Sequence, residues 1–366
     1  MTVLLSCEHK KELNLNVITV ENKIKHAANF ELYNYPDFTI LKIVKPWQNA
    51  TQPLVYVLAK DSKNVPDSLK SNTFIKIPLQ KFIATSTTHI PSIETLNQTE
   101  KLIGFPNLDY ISSIKVRNLI NQNKIKDVGL ENDLNTEVIL DLSPDLIIGY
   151  GMDSSNKALE NLKQMGIPVI YNADWTEESP LGKAEWIKFF GALFDQYDLA
   201  EKEFNTVEEN YNQLKKLAQT AATKPKVFSG GLYQGVWYAP KGNSWASLFL
   251  EDANADYIWK EAKGTGSIAI SIEEALDQAQ NIPIWIAPGS CESVEDIKNN
   301  SQHNLQFQAF KTGNVYSFAM KKGEKGGSIF YELGPNRPDI ILKDLIKILH
   351  PELLPDYTPY FYEKLK

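Results

Sequence analysis

Large aromatic side chains recur where the surrounding signals call for loops: Trp175, Tyr233, Trp237, Trp245 and Tyr331. A ring held at a loop can stack on a flat, partly apolar ligand, and the indole N–H or phenol can add a polar contact. His89 lies in the polar loop 86–91, which opens a helix at Pro91, and carries an imidazole able to hydrogen-bond a ligand or hold a metal. Arg337 follows Gly334-Pro-Asn and offers a planar fork for a carboxylate or phosphate. Each has a plain structural alternative: burial under a loop for the rings, a helix start for His89, and a surface position for Arg337. The chemistry this set supports is binding. Gly149-Tyr-Gly151 lacks the third glycine of a dinucleotide fingerprint, and the chain has neither a phosphate loop nor a G-x-S-x-G elbow. Cys291 has no histidine beside it in sequence, and the five histidines show no i, i+4 ligand spacing. No side chain is assigned to ligate a metal directly, and no resident cofactor is expected.

The elements that must hold these residues alternate. From about residue 73 the chain reads as strand, loop, helix, with buried runs at 82–86, 146–149 and 167–171. The same grammar returns after residue 223, with runs at 226–229, 282–289 and 313–319. A short helix followed by a buried strand and a glycine occurs at 136–149 and again at 272–289, so the two halves read as variations on one plan. Such units make mostly parallel sheets covered by helices. Ligands bind beyond the carboxyl ends of such strands, which brings in Thr88, His89, Gly151 and Met152 alongside the aromatic residues.

Between the halves lies the longest helical signal, 179–222. Ser179-Pro180 is a helix start, and Asp198-x-x-Glu201 resembles a capping box. The expectation is one helix over about 180–194 and a second over about 199–221, the latter roughly 35 Å long and stiff enough to join two lobes. Residues 17–60 read as a small β appendage, with strands on either side of Pro36-Asp37 and a third at 54–59. The expected organisation is a tether over 1–16, the appendage over 17–60, an N-terminal α/β lobe over 61–178, connecting helices over 179–222 and a C-terminal α/β lobe over 223–366.

Composition narrows the partners. A net charge of −7 argues against nucleic acid, and two cysteines exclude a disulfide scaffold. Leu4, Ser6 and Cys7 resemble a lipobox, so Cys7 is expected to carry a lipid anchor, although the preceding apolar run is shorter than the core of an export signal. That anchor is the expected membrane contact, on a periplasmic or cell-surface protein.

The segment Asp127-Val-Gly, followed by Leu134-Asn-Thr-Glu-Val-Ile-Leu-Asp-Leu-Ser-Pro-Asp-Leu-Ile-Ile-Gly149, resembles a signature of helical-backbone (class III) substrate-binding proteins of ABC importers. Gly166-Ile-Pro-Val-Ile-Tyr171 and Phe310-Lys-Thr-Gly-Asn-Val-Tyr316 follow in the family's order, so the similarity spans roughly residues 73–352. The resemblance implies two Rossmann-like lobes joined by one long α-helix, and no enzymatic activity. It further implies a monomer that captures an iron–siderophore or haem-like metal chelate between the lobes. Cobalamin is the alternative cargo, and a hydrolase or reductase acting in the same cleft is the alternative class. Family members dock on the permease through a surface glutamate on each lobe. Glu273 and Glu274 match on the C-terminal lobe. Lys124-Ile-Lys126-Asp127 stands where the other is expected, with Asp127 as the substitute acid. A stiff connector also implies small closure.

Overall fold

The computed structural model describes residues 20–47, 49–131, 133–151 and 157–366. The appendage is a four-stranded sheet, β1 (Phe30–Asn34), β2 (Thr39–Ile43), β3 (Leu54–Ala59) and β4 (Thr73–Lys76), in that spatial order. The strand at 73–76, read from sequence as the start of the alternating α/β region, therefore belongs here. It pairs in parallel with β3, Val57 opposite Phe74.

The N-terminal lobe follows with β5 (Phe82–Ala84), α1 (His89–Thr95), β6 (Leu102–Phe105), α2 (Ile114–Asn121) and β7 (Lys126–Asp127). A two-residue-strand hairpin, β8 (Gly129–Leu130) and β9 (Asp133–Leu134), leads to α3 (Thr136–Leu142), β10 (Leu146–Tyr150), α4 (Lys157–Gln164) and β11 (Val169–Asn172). Its parallel sheet has the order β11-β10-β5-β6-β7. Asn135 caps α3 by accepting from the Val138 N–H, and Leu146, Ile147 and Ile148 are fully buried, as an apolar run covered on both faces must be.

The connector is three helices: α5 (Pro180–Glu185), α6 (Ile187–Leu193) and α7 (Tyr197–Ala218). Ser179 caps α5. The first predicted helix is interrupted at Trp186, which ends α5 and begins α6. The proposed capping box does not form: α7 starts at Tyr197, so Asp198 lies inside its first turn, where a carboxylate still favours the helix dipole. Gly191 lets α6 approach α7, since a Cβ there would lie 2.5 Å from that of Ala200. Ala200 and Phe204 join the N-lobe core, while Tyr211 and Ala218 join the C-lobe core, so α7 is a strut shared by both.

The C-terminal lobe contains β12 (Lys226–Ser229), β13 (Gly231–Tyr233), β14 (Val236–Pro240), α8 (Trp245–Asp252), β15 (Asp256–Tyr257), β16 (Ser267–Ile270), α9 (Ile272–Ala279) and β17 (Ile284–Ile286). It ends with α10 (Val294–Asn300), α11 (Gln308–Lys311), β18 (Val315–Ser317), α12 (Ile329–Leu333), α13 (Pro338–Leu349) and β19 (Glu363–Lys364). The main sheet runs β15-β12-β17-β18-β19, parallel except for the last strand, and a second sheet runs β13-β14-β16. Two α/β lobes, one long helix and an N-terminal β appendage are thus the architecture.

Direct bonds also join the lobes. The buried Glu332 carboxylate on α12 accepts from the Ser112 and Ser113 N–H groups at 2.6 and 2.8 Å. Asn336 accepts from the Ser92 hydroxyl at 2.6 Å and donates to the Thr88 carbonyl at 3.0 Å. Burial pushes the Glu332 carboxyl up to about 7, against the two N–H donors that favour its charged form.

Candidate binding cleft

Two connected hollows open at the carboxyl ends of the strands. One, of about 1060 Å³, lies between the lobes, with Trp175, Glu177 and Lys183 on one side and Pro240, Trp245 and Ser267 on the other. The second, of about 390 Å³, enters the C-terminal lobe between Tyr233, Phe249, Phe318, Phe330, Tyr331 and Trp245. Pro240, Trp245, Ala246 and Ser267 line both.

Trp245 is the side chain that most resembles a binding group. Ser244 caps α8 and fixes its first residue at the junction of the hollows. The indole packs edge-on to Phe249 at 5.1 Å and lies 5.8 Å from Phe330, with the Lys183 ammonium 5.8 Å from its ring centre. Its Nε1–H is buried without a hydrogen-bond partner among the described residues. Leaving such a donor unpaired costs about 1–3 kcal/mol, which an acceptor on a ligand would relieve. Trp175, across the cleft, is half-buried; its Nε1 donates to the Gly151 carbonyl at 3.0 Å, and its ring stands 6.0 Å from Tyr150. Lys183 fixes that loop by donating to the Asp174 and Trp175 carbonyls. Tyr233 and Tyr331 are 64% and 57% exposed at the rim of the inner hollow, positioned to meet an incoming ligand.

Five predicted ligand residues line neither hollow. Trp237 is wholly buried against Phe228, Trp285 and Phe307. The stretch around Trp237, expected as a loop, is a hairpin: Tyr233 pairs with Val236, and Gln234 and Gly235 take the positive φ values a tight two-residue turn demands. Side chains then alternate along β14, so Trp237 points to the core and Tyr238 to the pocket. His89 is fully buried beside Phe190, and burial lowers its pKa to about 4, opposed by the Asp174 charge. Its imidazole is neutral near pH 7 and lines neither hollow. Arg337 pairs with buried Asp339 at 2.8 and 2.9 Å and faces hollows beside α7, away from the aromatic cleft. The Thr88 carbonyl is occupied by Asn336, and its hydroxyl by Ser86 at 2.9 Å. Gly151 is buried beneath Trp175; Met152 and Cys7 lie outside the described residues.

Glu273 and Glu274 are exposed in the first turn of α9, and Asp127 is exposed on β7 with its Oδ1 accepting from the Gly129 N–H. The lysine-rich loop 321–327 is docked on the other lobe: the Gly327 carbonyl accepts from the Ser112 hydroxyl, and a Cβ on Gly327 would collide with the Tyr110 carbonyl. Cys291 is buried, and burial raises its thiol to about 11, so it is no ready nucleophile. Among the described residues, no three His, Cys, Asp or Glu side chains gather as a metal set. Sequence reading missed Phe249, Phe318, Phe330 and Tyr238. Of these, Tyr238 was recoverable from the alternation on either side of Gln234-Gly235.

The family model described as "Periplasmic binding protein" matches residues 83–319, which takes in the strut and most of both lobes. The chain belongs to the periplasmic binding protein family. It is thus a solute-binding protein and not an enzyme. An uncharacterized lipoprotein of Methanocaldococcus jannaschii is 27% identical, the match covering 99% of this chain and 93% of the relative. A second from that organism is 25% identical over 93% and 87%. Among solved structures, the fold matches a possible iron-binding, periplasmic solute-binding protein of Staphylococcus epidermidis (TM-score 0.57, 20% identity, 75% of this chain and 99% of that one). A periplasmic heme-binding protein of Pseudomonas aeruginosa matches similarly (0.57, 17%, 79% and 98%). So does a periplasmic vitamin B12-binding protein of Vibrio cholerae (0.52, 14%, 74% and 97%).

Proposed function

We propose that this binding protein captures an iron–siderophore or haem-like metal chelate in the aromatic cleft and delivers it to the permease of an ABC importer. The observation that carries the reading is Trp245, a ring shared by two connected hollows whose buried N–H lacks a partner among the described residues. Aromatic walls suit an organic chelate, which brings its own metal ligands and offers flat faces for stacking. The similar solved structures, named for iron, heme and vitamin B12 binding, support a cargo of this kind. The bonds from Glu332 and Asn336 across the lobes, together with α7, support small closure on binding.

The protein works as a monomer in this reading, in the periplasm or at the cell surface, held to a membrane through a lipid on Cys7; the lipoprotein name of the relative from Methanocaldococcus jannaschii supports an anchor. Glu273 and Glu274, with Asp127 on the other lobe, dock on permease cations. Tryptophan-fluorescence titration with haemin, a ferric tricatecholate and cyanocobalamin tests the cargo. The expected result is saturable quenching by an iron chelate or haemin, weakened at least tenfold in Trp245→Ala and Trp175→Ala, the loss of about 1.4 kcal/mol of stacking or more. A best response to cyanocobalamin would make the cargo a corrin, and no response to any of the three would refute the chelate reading.

A further inference from the structure

The β appendage lies outside the family match, which begins at residue 83. It is nevertheless bonded tightly to the connector. The Glu185 carboxylate, fully buried, accepts from the backbone N–H groups of Lys25, His26 and Ala27 at 2.7–3.1 Å and from the Lys188 ammonium at 2.8 Å. Glu177 accepts from the next two, Ala28 and Asn29, at 3.0 and 2.7 Å. Five consecutive amides are therefore held by two carboxylates, and the strands that follow start from a fixed point.

The payoff is at the loop after β2. It crosses the carboxyl end of β10: the Pro46 carbonyl lies 3.4 Å from where a Gly151 Cβ would stand, and Trp47 meets Tyr171 edge-on at 5.8 Å. Lys45 and Trp47 thereby line the same 1060 Å³ hollow as Trp175 and Trp245. Of the two lysines on that hollow, Lys183 is committed to the Asp174 and Trp175 carbonyls. The Lys45 side chain is exposed and has no hydrogen-bond or ion-pair partner among the described residues. An exposed, unpaired cation on a cleft lined largely by polar residues that also carries the rings of Trp47, Trp175 and Trp245 suits the charged edge of a flat or partly apolar ligand.

We infer that the appendage is a third wall of the binding cleft and that Lys45 selects a cargo bearing an anionic edge, such as a carboxylate-bearing macrocycle or an anionic ferric chelate. This rests on the cargo reading above and deepens it: the lobes supply most of the aromatic faces, and the appendage adds Trp47 and a cation without a partner among the described residues.

The test compares Lys45→Glu, Lys45→Ala and Lys45→Arg with wild type, using haemin and a ferric tricatecholate as anionic probes and cyanocobalamin as one with no free carboxylate. Thermal unfolding of each variant checks that the exposed substitution leaves the fold intact. For whichever anionic probe binds, Lys45→Glu should weaken binding on the order of tenfold and Lys45→Ala severalfold, with Lys45→Arg near wild type. The salt dependence of anionic binding should flatten in Lys45→Ala. Unchanged affinity and salt dependence across the series, with wild type binding normally, would overturn the third wall alone. Binding of cyanocobalamin to the exclusion of both anionic probes would overturn the anionic cargo while leaving a cargo in the cleft. A wild type that responds to no probe would overturn the cargo reading and this inference with it.

Discussion

Replacing Glu332 with glutamine should change how stability depends on pH, because this carboxyl is buried at the lobe–lobe contact. Two effects oppose each other there: burial penalises the charged form, while the Ser112 and Ser113 N–H groups stabilise it. Burial wins, helped by the nearby Glu94 charge, and the folded-state value stands at about 7 against an ordinary 4.5. At roughly 1.4 kcal/mol per tenfold change in proton affinity, that difference is worth about 3 kcal/mol. With a folded value above the unfolded one, the native protein holds a proton between these pH values that the unfolded chain has released. The stabilisation is fully present below about pH 4.5 and is lost as pH rises through about 7. Glu332→Gln removes this titration and keeps the shape. In urea unfolding at pH 8 and pH 5, wild type should gain about 2–3 kcal/mol more than the variant on acidification. Parallel profiles would mean that the carboxyl is not perturbed. A difference of opposite sign would mean that the two N–H donors outweigh burial, which would refute the reasoning directly.

Glu185→Ala should cost about 3–5 kcal/mol, since it strands the buried Lys188 ammonium and frees three amides; the urea midpoint reports it, and a loss under 1 kcal/mol would argue against the anchoring of the appendage. Trp237→Ala should likewise lower stability by about 3–5 kcal/mol, whereas Trp237→Phe should leave cargo affinity within about twofold; tenfold weaker binding in the latter would return Trp237 to the site. Charge reversal at Glu273 and Glu274 should abolish transport in reconstituted vesicles with cargo affinity unchanged, and uptake at the wild-type rate would remove them from docking.

What could be read from sequence was what local signals control. Asn135 and Ser271 each sit one residue before a helix they cap, and apolar runs such as Leu146–Ile148 declare buried strands without reference to anything distant. The two lobes and the strut follow from those signals. Trp237 was misread because its direction depends on hairpin register, which Gln234-Gly235 sets three residues away. Arg337 faces away from the aromatic cleft, and its pairing with Asp339 at the start of α13 is a contact that sequence spacing alone does not declare. His89 marked a real strand end, yet the packing of Phe190, about a hundred residues on, decides that it is enclosed. Glu332 meets Ser112 across 220 residues, and Lys45 reaches a cleft built from three separate regions. Such contacts leave no periodic trace.

Hydrogen–deuterium exchange with and without the tightest-binding probe, chosen from haemin, the ferric tricatecholate and cyanocobalamin, tests the location of cargo most directly. The account predicts slowed exchange in the segments around Trp175, Tyr233–Pro240 and Trp245, with α7 unaffected along its length. Protection confined to the hollows beside Arg337 and α7, with the aromatic cleft unchanged, would contradict it.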